Sequence, residues 1–257
     1  MIQVGIIGAG IIGKRIGQIA LAHPSGAEIS GYLKRAGTAV DGCIAPVTAS
    51  FDEFMKLGHD VVIESAGQAA LIEYGPKVLA AGKTLVPASV GSFAQPGILA
   101  MFMAACNDSG GKIRLASGAM AGLDGIAAAR KAGLRSVRYV GVMAGMVEKG
   151  CTASEPDSGR VLVFSGTARE ASQKFPKNAN LTLTIALAGL GMDETQVELF
   201  RDDSASRNIH ELHAEGDFGT FKVEMQGTRI STTSPSSQIV PASLFNAAAG
   251  IYYLPIN

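Results

Sequence analysis

Apolar and polar positions repeat one strand-and-helix unit along the first 116 residues. Short apolar runs predict buried strands at residues 2–7, 27–33, 60–64, 83–88 and 112–116. Between these runs, apolar residues three and four apart predict helices, the first through Ile16, Ile19 and Ala20 and later ones at about 51–57, 68–81 and 96–109. Strands that alternate with helices are typical of a doubly wound parallel sheet, so we predict a Rossmann-type α/β domain over residues 1–116.

The pattern changes after Gly118, where predicted strands outnumber predicted helices. The strands fall at about 136–143, 160–164, 196–201, 208–214, 219–226 and 229–232. The helices fall at about 125–132, after the capping box Thr167-x-x-Glu170, and from Pro176 to about Gly189. This predicts a second α+β domain over residues 117–235 with a mostly antiparallel sheet. A small-residue helix within 236–257 is expected to pack back on the first domain.

The loop between the first strand and the first helix carries Gly8-x-Gly10-x-x-Gly13. Gly8 permits a tight turn, Gly10 lets the backbone approach a pyrophosphate, and Gly13 allows close helix–strand packing. The helix start at Ile11 and Ile12 offers N–H groups and partial positive charge to phosphate. With a strand before it and a helix after it, the motif predicts binding of NAD or NADP; an ordinary tight turn is the alternative.

The end of the second predicted strand bears on the choice between the two cofactors. An NAD-selective site usually places an acidic residue about 20 residues after the last glycine, on the ribose 2′-hydroxyl. Lys34 and Arg35 stand there instead, and two cations without a carboxylate suit a 2′-phosphate. We therefore expect NADP to be accepted alongside NAD. A solvated basic turn is the alternative.

Turns of small residues follow three predicted strands, at 65–68, 89–91 and 117–119. Ligands of doubly wound sheets bind at this carboxyl edge. We predict four cofactor contacts there, at Ala66, Gly67, Ser89 and Val90. The turn that begins with Ser117 has a hydroxyl and N–H groups that would suit an anionic group of the substrate.

Composition narrows the class of function. Lys plus Arg and Asp plus Glu both number 22, so no net charge draws the chain to nucleic acid or to an acidic membrane. The longest other apolar run, about residues 181–190, is far below the ~20 residues that span a bilayer. Cys43, Cys106 and Cys151 are isolated, which indicates a reducing cytoplasm and no metal site. HExxH, CxxC, Gly-x-Ser-x-Gly and Walker-type motifs are absent from the sequence, so we expect a cytoplasmic protein acting on a small molecule without a metal.

Four histidines are candidates for acid–base chemistry. His23 and His59 fall in polar turns and are expected to have no role. In the predicted strand 208–214, alternation places His210 on the apolar face and His213 on an acidic, solvated face. An imidazole that titrates near pH 6.5 suits a general acid–base role beside a nicotinamide. A satisfied core histidine is the alternative for His210.

The predicted helix start at Pro176 is a candidate anion site. Lys177, Asn178 and Asn180 lie in its first turn. Unpaired N–H groups of a helix start, together with a cation, can bind a carboxylate. Simple capping of the helix by asparagine is the alternative.

Three stretches together resemble the L-aspartate dehydrogenase family. They are Ser117-Gly118-Ala119-Met120-Ala121-Gly122-Leu123-Asp124, Phe175-Pro176-Lys177-Asn178-Ala179-Asn180, and Asn208-Ile209-His210 with Gly216-Asp217-Phe218-Gly219. The resemblance implies NAD(P)-dependent oxidation of L-aspartate to iminoaspartate, which hydrolyses to oxaloacetate and ammonia or enters NAD biosynthesis. It also implies a homodimer built through the second domain, with His210 as the catalytic histidine. Ala119 and Asn180 would contact the cofactor near its nicotinamide.

Two stretches depart from the family pattern. Met146-Val147-Glu148-Lys149-Gly150 replaces a Lys-Pro-Pro-like segment, and Ser92-Phe93-Ala94 replaces Gly-Ala-Leu. Both departures bear on substrate contacts. The competing interpretations are another Rossmann oxidoreductase, resembling homoserine dehydrogenase or dihydrodipicolinate reductase, and a non-catalytic NAD(P)-sensing protein. The fold alone does not separate these functions.

Overall fold

The computed structural model describes residues 1–144, 159–176, 179–231 and 234–251. They fall into two compact units. The first comprises Met1–Gly118 and the chain from Ile239 onward, and the second comprises Ala119–Gln238. Within the described residues, every helix is too short or too polar to cross a membrane.

Thirteen strands and eight α-helices make up the described chain. The strands are β1 (Ile2–Ile7), β2 (Ala27–Leu33), β3 (Val47–Thr48), β4 (Val61–Glu64), β5 (Thr84–Pro87), β6 (Lys112–Ile113), β7 (Leu134–Ala144), β8 (Arg160–Thr167), β9 (Gln196–Asp202), β10 (Asn208–Gly216), β11 (Gly219–Gly227), β12 (Arg229–Ser231) and β13 (Ser234–Ser237). The helices are α1 (Ile11–Ala22), α2 (Phe51–Lys56), α3 (Gln68–Ala80), α4 (Ile98–Ser109), α5 (Leu123–Lys131), α6 (Ala168–Lys174), α7 (Ala179–Ala188) and α8 (Ile239–Ala249). A 3₁₀ helix spans Val90–Ala94.

The first unit contains a six-stranded sheet in the order β3-β2-β1-β4-β5-β6, and all its pairings are parallel. This confirms the predicted Rossmann-type fold. The strand order reverses at the β1–β4 pair, which is where such sheets open a crevice for a ligand at the carboxyl ends of the strands. Strand β3 was not predicted, because two residues at a sheet edge are too short to show a period.

The core of the first unit lies between this sheet and its helices. Val4 and Ile6 of β1 are 0% exposed, as expected for a parallel strand covered on both faces. Helix α8 adds Leu244 and Phe245 to the same apolar cluster, together with Ile16 of α1. The C-terminal helix is therefore an integral part of the first core.

The second unit contains a five-stranded sheet in the order β11-β10-β7-β9-β8. Only the β7–β9 pair is parallel, which confirms the mostly antiparallel prediction. Helices α5 and α7 pack on the face of β7 that carries Val137, because a Cβ added at Gly189 would touch Val137 and Ile126. Strands β12 and β13 form a separate hairpin.

Two local predictions for the second unit have different outcomes. The capping box is confirmed, since the Thr167 hydroxyl accepts from the Glu170 N–H and the Glu170 carboxylate accepts from the Thr167 N–H. The long apolar helix was predicted from Pro176, but α7 begins at Ala179.

The expectation that His59 lies in a polar turn missed its burial, while the expectation that it has no role stays a prediction. It lies just before β4 and is 0% exposed, not in a solvated turn. Its ring packs 4.1 Å from the Phe54 ring, and its Nδ1 lies 2.6 Å from the Ser30 hydroxyl. The sequence window around it is polar, but α2 closes over the ring from outside that window.

Candidate functional site

The glycine loop after β1 is shaped by two close approaches. Gly8 has φ of 114°, and a Cβ there would lie 2.8 Å from the backbone of Ser65. A Cβ at Gly13 would overlap the carbonyl oxygen of Gly8. Gly13 is therefore required by packing within the loop, and Gly8 by packing against the turn after β4.

Gly10 differs, because a Cβ there would meet no atom of the described chain within 4 Å. It caps α1 without a side-chain hydrogen bond, and the first turn of α1 carries no acidic residue. Ile11 is 44% exposed beside it, whereas Ile12 packs against the core. The open space, the helix N-terminus and the lack of negative charge fit the pyrophosphate of a dinucleotide.

The predicted contacts after β4 and β5 are arranged around a residue that the sequence reasoning missed. The N–H groups of Ala66 and Gly67 donate to Oε1 of Glu64 at 2.7 and 2.8 Å. The Ser89 N–H donates to Oε2 at 3.0 Å. Val90 is 2% exposed. These residues lie at the predicted edge of the sheet, but the three N–H groups are already paired and the Val90 side chain is covered.

Lys34 and Arg35 follow β2 on the edge that carries the glycine loop. Arg35 is exposed, and Lys34 Nζ donates to the carbonyl oxygen of Thr38 at 2.6 Å. Asp41, a few residues further along the chain, has Oδ1 2.9 Å from Nζ of Lys14 in α1. Of the two predicted phosphate ligands, Lys34 already uses one of its three N–H donors on this carbonyl.

The turn at Ser117 differs from its prediction. Ser117 Oγ lies 3.0 Å from Ser243 Oγ, and the Gly118 N–H donates to Ser243 Oγ at 2.9 Å. The Gly118 N–H expected to be free for a substrate is therefore paired. The reason is tertiary, since α8 returns from the end of the chain and brings Ser243 to this turn.

His210 lies on β10, paired with Gly141 of β7 and Met225 of β11. It shares a sheet face with Leu212 and Ala214, which are 0% and 4% exposed, as the alternation predicted. Its Nδ1 lies 2.8 Å from the hydroxyl of Tyr139, which is 4% exposed. Gly141 makes room for this contact, because a Cβ there would lie 2.9 Å from the Tyr139 hydroxyl.

Burial sets the protonation state of this pair. It lowers the pKa of His210 to about 4, so the imidazole is neutral at pH 7. It also raises the pKa of Tyr139, so the hydroxyl keeps its proton. In the tautomer able to act as a base, Nδ1–H donates to the Tyr139 oxygen and Nε2 carries the lone pair. Tyr139 thus fixes the orientation of the ring.

His213 lies on the opposite face of β10, as predicted. Its Nε2 is 3.2 Å from Oε2 of Glu211, and Lys222 Nζ is 2.8 Å from the same oxygen. Burial raises the pKa of Glu211, but hydrogen bonds from Lys222 and His213 outweigh it and lower that pKa overall. His213 belongs to a surface ion-pair network.

The other predicted residues of the second unit are only partly placed. Ala119 is its first residue, and Asn180 is exposed in the first turn of α7, where its carbonyl accepts from Thr184 at 2.8 Å. The predicted substrate ligands Lys177 and Asn178 lie outside the described residues. So does the departure at 146–150.

The second departure, at 92–94, lies in the core. Ser92, Phe93 and Ala94 are at most 3% exposed, and the Phe93 ring packs edge-on against Phe102 at 5.1 Å. It therefore alters packing under the 3₁₀ helix. In the described part of the chain, His, Cys, Asp and Glu side chains form no group of three or more suited to a metal.

Comparison with known proteins adds to this geometry. The family described as "Aspartate dehydrogenase, C-terminal" matches residues 124–251, and "Homoserine dehydrogenase, NAD binding domain" matches residues 8–116. L-aspartate dehydrogenase 1 of Bordetella pertussis is 43% identical over 257 residues, which cover 100% of this chain and 98% of the relative. L-aspartate dehydrogenase of Acinetobacter baumannii is 42% identical over 197 residues, 73% of each chain.

A solved structure shares the fold. The crystal structure of aspartate dehydrogenase from Thermotoga maritima matches with a TM-score of 0.75 at 22% identity, covering 100% of this chain and 99% of that one. At this identity the match shows a common architecture.

Proposed function

Because this chain belongs to the L-aspartate dehydrogenase family, we propose that it oxidises L-aspartate to iminoaspartate with NAD or NADP as the hydride acceptor. Water then converts the imine to oxaloacetate and ammonia. The observation that carries the proposal is the part-buried, neutral His210 fixed by Tyr139, in a chain that the Bordetella pertussis relative matches along its full length.

The first unit supplies the binding surface for the cofactor. Its open position at Gly10 and the start of α1 suit the pyrophosphate, and Lys34 with Arg35 suits a 2′-phosphate. A nicotinamide held there would supply the acceptor for the hydride that leaves Cα of the substrate. We propose that Ala119 and Asn180 lie near this ring.

His210 acts as the general base. A neutral Nε2 takes a proton from the substrate ammonium as the C–N bond gains double-bond character. It releases this proton to solvent and then takes one from the water that attacks the imine. The lowered pKa of His210 keeps the ring unprotonated at neutral pH, while Tyr139 holds the other nitrogen. We propose that Lys177 and Asn178 bind a substrate carboxylate. Ser117 joins them only if it exchanges its bond to Ser243.

Reductive amination tests the function directly. The full chain is incubated with oxaloacetate, ammonia and either NADH or NADPH, and the loss of absorbance at ~340 nm is followed. We expect turnover with both cofactors, and in the reverse direction with L-aspartate but not L-homoserine. Turnover of homoserine alone would favour the homoserine-dehydrogenase-like alternative. Cofactor binding without turnover of any amino acid would favour a sensor.

We also propose that the enzyme is a cytoplasmic homodimer associated through the second unit. One face of the sheet in this unit is covered by α5 and α7. The other face supports the proposal, because it carries Leu162, which is 39% exposed and is paired across strands with the part-buried Phe200. Among the described residues, Cys43 and Cys106 are both free thiols, which suits a reducing compartment. Sedimentation equilibrium should give twice the chain mass of 26.4 kDa, and the dimer proposal fails if the protein sediments as a monomer.

A further inference from the structure

Glu64 is a buried carboxylate in the first unit. It ends β4, is 0% exposed, and accepts four hydrogen bonds. Oε1 accepts from the N–H groups of Ala66 and Gly67 and from the hydroxyl of Ser89 at 3.0 Å, while Oε2 accepts from the Ser89 N–H. Burying a carboxylate is costly unless it is fully hydrogen-bonded, and this one is.

The donors come from the turns after two neighbouring strands. Gly67 is the residue that caps α3, and Ser89 is the residue that caps the 3₁₀ helix Val90–Ala94. One side chain therefore fixes the start of both helices and joins the turn after β4 to the turn after β5. A negative charge is also favoured close to helix N-termini.

The turn held by Glu64 is in direct contact with the glycine loop. The Ser65 N–H donates to the carbonyl oxygen of Ile7 at 2.8 Å. A Cβ added at Gly8 would lie 2.8 Å from the Ser65 carbonyl carbon and 3.0 Å from the nitrogen of Ala66. The backbone of residues 65–66 therefore packs directly against the glycine loop at Gly8, and a shift of this backbone would move the loop.

We propose that Glu64 is a positioning residue for the dinucleotide: its carboxylate locks the turns after β4 and β5 against the glycine loop without itself touching the cofactor. The inference rests on the proposed function, which places the cofactor at these strand ends. Three of the four donors are N–H groups, which cannot accept, so an ionised carboxylate matches all of them. Burial raises the pKa of Glu64, and the four donors oppose that effect.

The test is Glu64→Gln, which keeps the size of the side chain but points an NH₂ group at one of the N–H donors. Dissociation constants for NADH and NADPH are measured on the full chain by nicotinamide fluorescence, without aspartate. We expect both constants to rise about tenfold, as for one buried hydrogen bond replaced by two opposed donors. Amide hydrogen exchange of the 65–70 segment should also become faster in the cofactor-free protein.

Ser109→Ala is the matched control. The Ser109 hydroxyl lies 2.6 Å from the carbonyl oxygens of both Leu79 and Ala105, either of which can accept its one proton, and it accepts from the Gly111 N–H at 3.1 Å, just before β6. This network lies at the opposite, amino end of the same sheet. We expect the variant to unfold at a lower temperature but to bind both cofactors within about twofold of wild type, since a purely structural loss need not reach the loop.

Two results would overturn the inference. One is a Glu64→Gln protein that is folded and binds both cofactors as wild type does. The other is a Ser109→Ala protein that loses as much affinity, because the effect would then follow stability alone. If Glu64→Gln does not fold, Glu64→Asp replaces it, and unchanged affinity there overturns the proposal. If the wild-type chain binds neither cofactor, the proposed function itself fails.

Discussion

The two units present their candidate functional groups by different means. In the first unit the candidate phosphate site is formed by the backbone, since Gly8 and Gly13 allow close packing and Gly10 leaves space at the start of α1. In the second unit it is a side chain, His210, oriented by Tyr139 across two paired strands. A backbone site requires adjacent residues and so forms a contiguous motif. A side-chain site requires only that distant strands pair in register.

The two units also differ in what their inward-facing histidines do. His59 in the first unit and His210 in the second both have pKa values lowered by burial, and both have Nδ1 beside a hydroxyl, of Ser30 and Tyr139. His59 is fully enclosed between the sheet and α2, with a Phe54 ring against it. Burial and a lowered pKa therefore do not by themselves mark a catalytic group.

The largest expected effect separates the two faces of β10. His210→Ala should lower kcat by about 10²–10⁴-fold, the usual contribution of a general base, while the affinity for NADPH stays unchanged. His213→Ala, on the opposite face, should retain wild-type turnover. Steady-state kinetics on both variants checks this, and wild-type turnover by His210→Ala would end its catalytic assignment.

The next effect separates the glycines of the loop. Gly13→Ala should lower the free energy of unfolding by about 1–3 kcal/mol, because its methyl group overlaps the Gly8 carbonyl oxygen. Gly10→Ala should keep its stability and bind NADPH more weakly, because its methyl group enters the space left for phosphate. Thermal unfolding and fluorescence titration measure both, and equal destabilisation of the two variants would contradict this account.

The third effect concerns the choice of cofactor in the first unit. Replacing Lys34 and Arg35 together by Ala should weaken NADPH binding about tenfold, because charge-assisted bonds to the 2′-phosphate are lost. NADH lacks that phosphate, so its affinity should change little. An equal loss of affinity for both cofactors would show that the two cations do not bind the 2′-phosphate.

The fourth effect tests the partner of His210. Tyr139→Phe keeps the ring packing and removes a hydrogen bond worth about 0.5–1.5 kcal/mol, so kcat should fall about two- to tenfold with KM for NADPH unchanged. The lost hydrogen bond should also lower the unfolding temperature by about 2–4 °C. Undiminished kcat would mean that packing alone orients the imidazole.

The smallest effect is on stability at mildly acidic pH. The unfolded chain binds a proton at His210 near pH 6.5, but the folded chain does so only near the lowered pKa of about 4. The contribution of the neutral His210 to the free energy of unfolding is therefore fully present above pH 6.5, and it is lost as the pH drops toward 4. Because the ring is partly exposed, we expect His210 to lower the free energy of unfolding by only about 1 kcal/mol between pH 6.5 and 5. Urea unfolding of His210→Gln at pH 7.5 and 5.0 should show a smaller loss than wild type, and an equal loss would refute it.

Local patterns were sufficient for much of this protein. The apolar runs predicted β1, β2, β4 and β5 to within two residues, because buried parallel strands have no polar face to obscure them. The capping box at Thr167 and the alternation on β10 were also legible, since both depend on neighbours a few residues away.

Contacts from distant parts of the chain could not be predicted. Glu64 looked like the polar end of a strand, and only the fold brings Ser89 to its carboxylate. The pairing of Ser117 with Ser243 depends on α8, more than a hundred residues later. His59 was misread because Ser30, 29 residues earlier, pairs with its ring, and because the path of the chain after α2 turns that ring against Phe54.

The sequence by itself determined the class of fold, the glycine loop and the face of β10 on which His210 lies. Periodicity and turn chemistry are properties of short segments, and no tertiary contact is needed to express them. Only the tertiary structure decided which N–H groups remain free, which histidine is enclosed and which hydroxyl holds His210. Hydrogen bonding and burial depend on which residues of other segments come into contact, and these contacts are fixed only when the strands pair and the helices cover them.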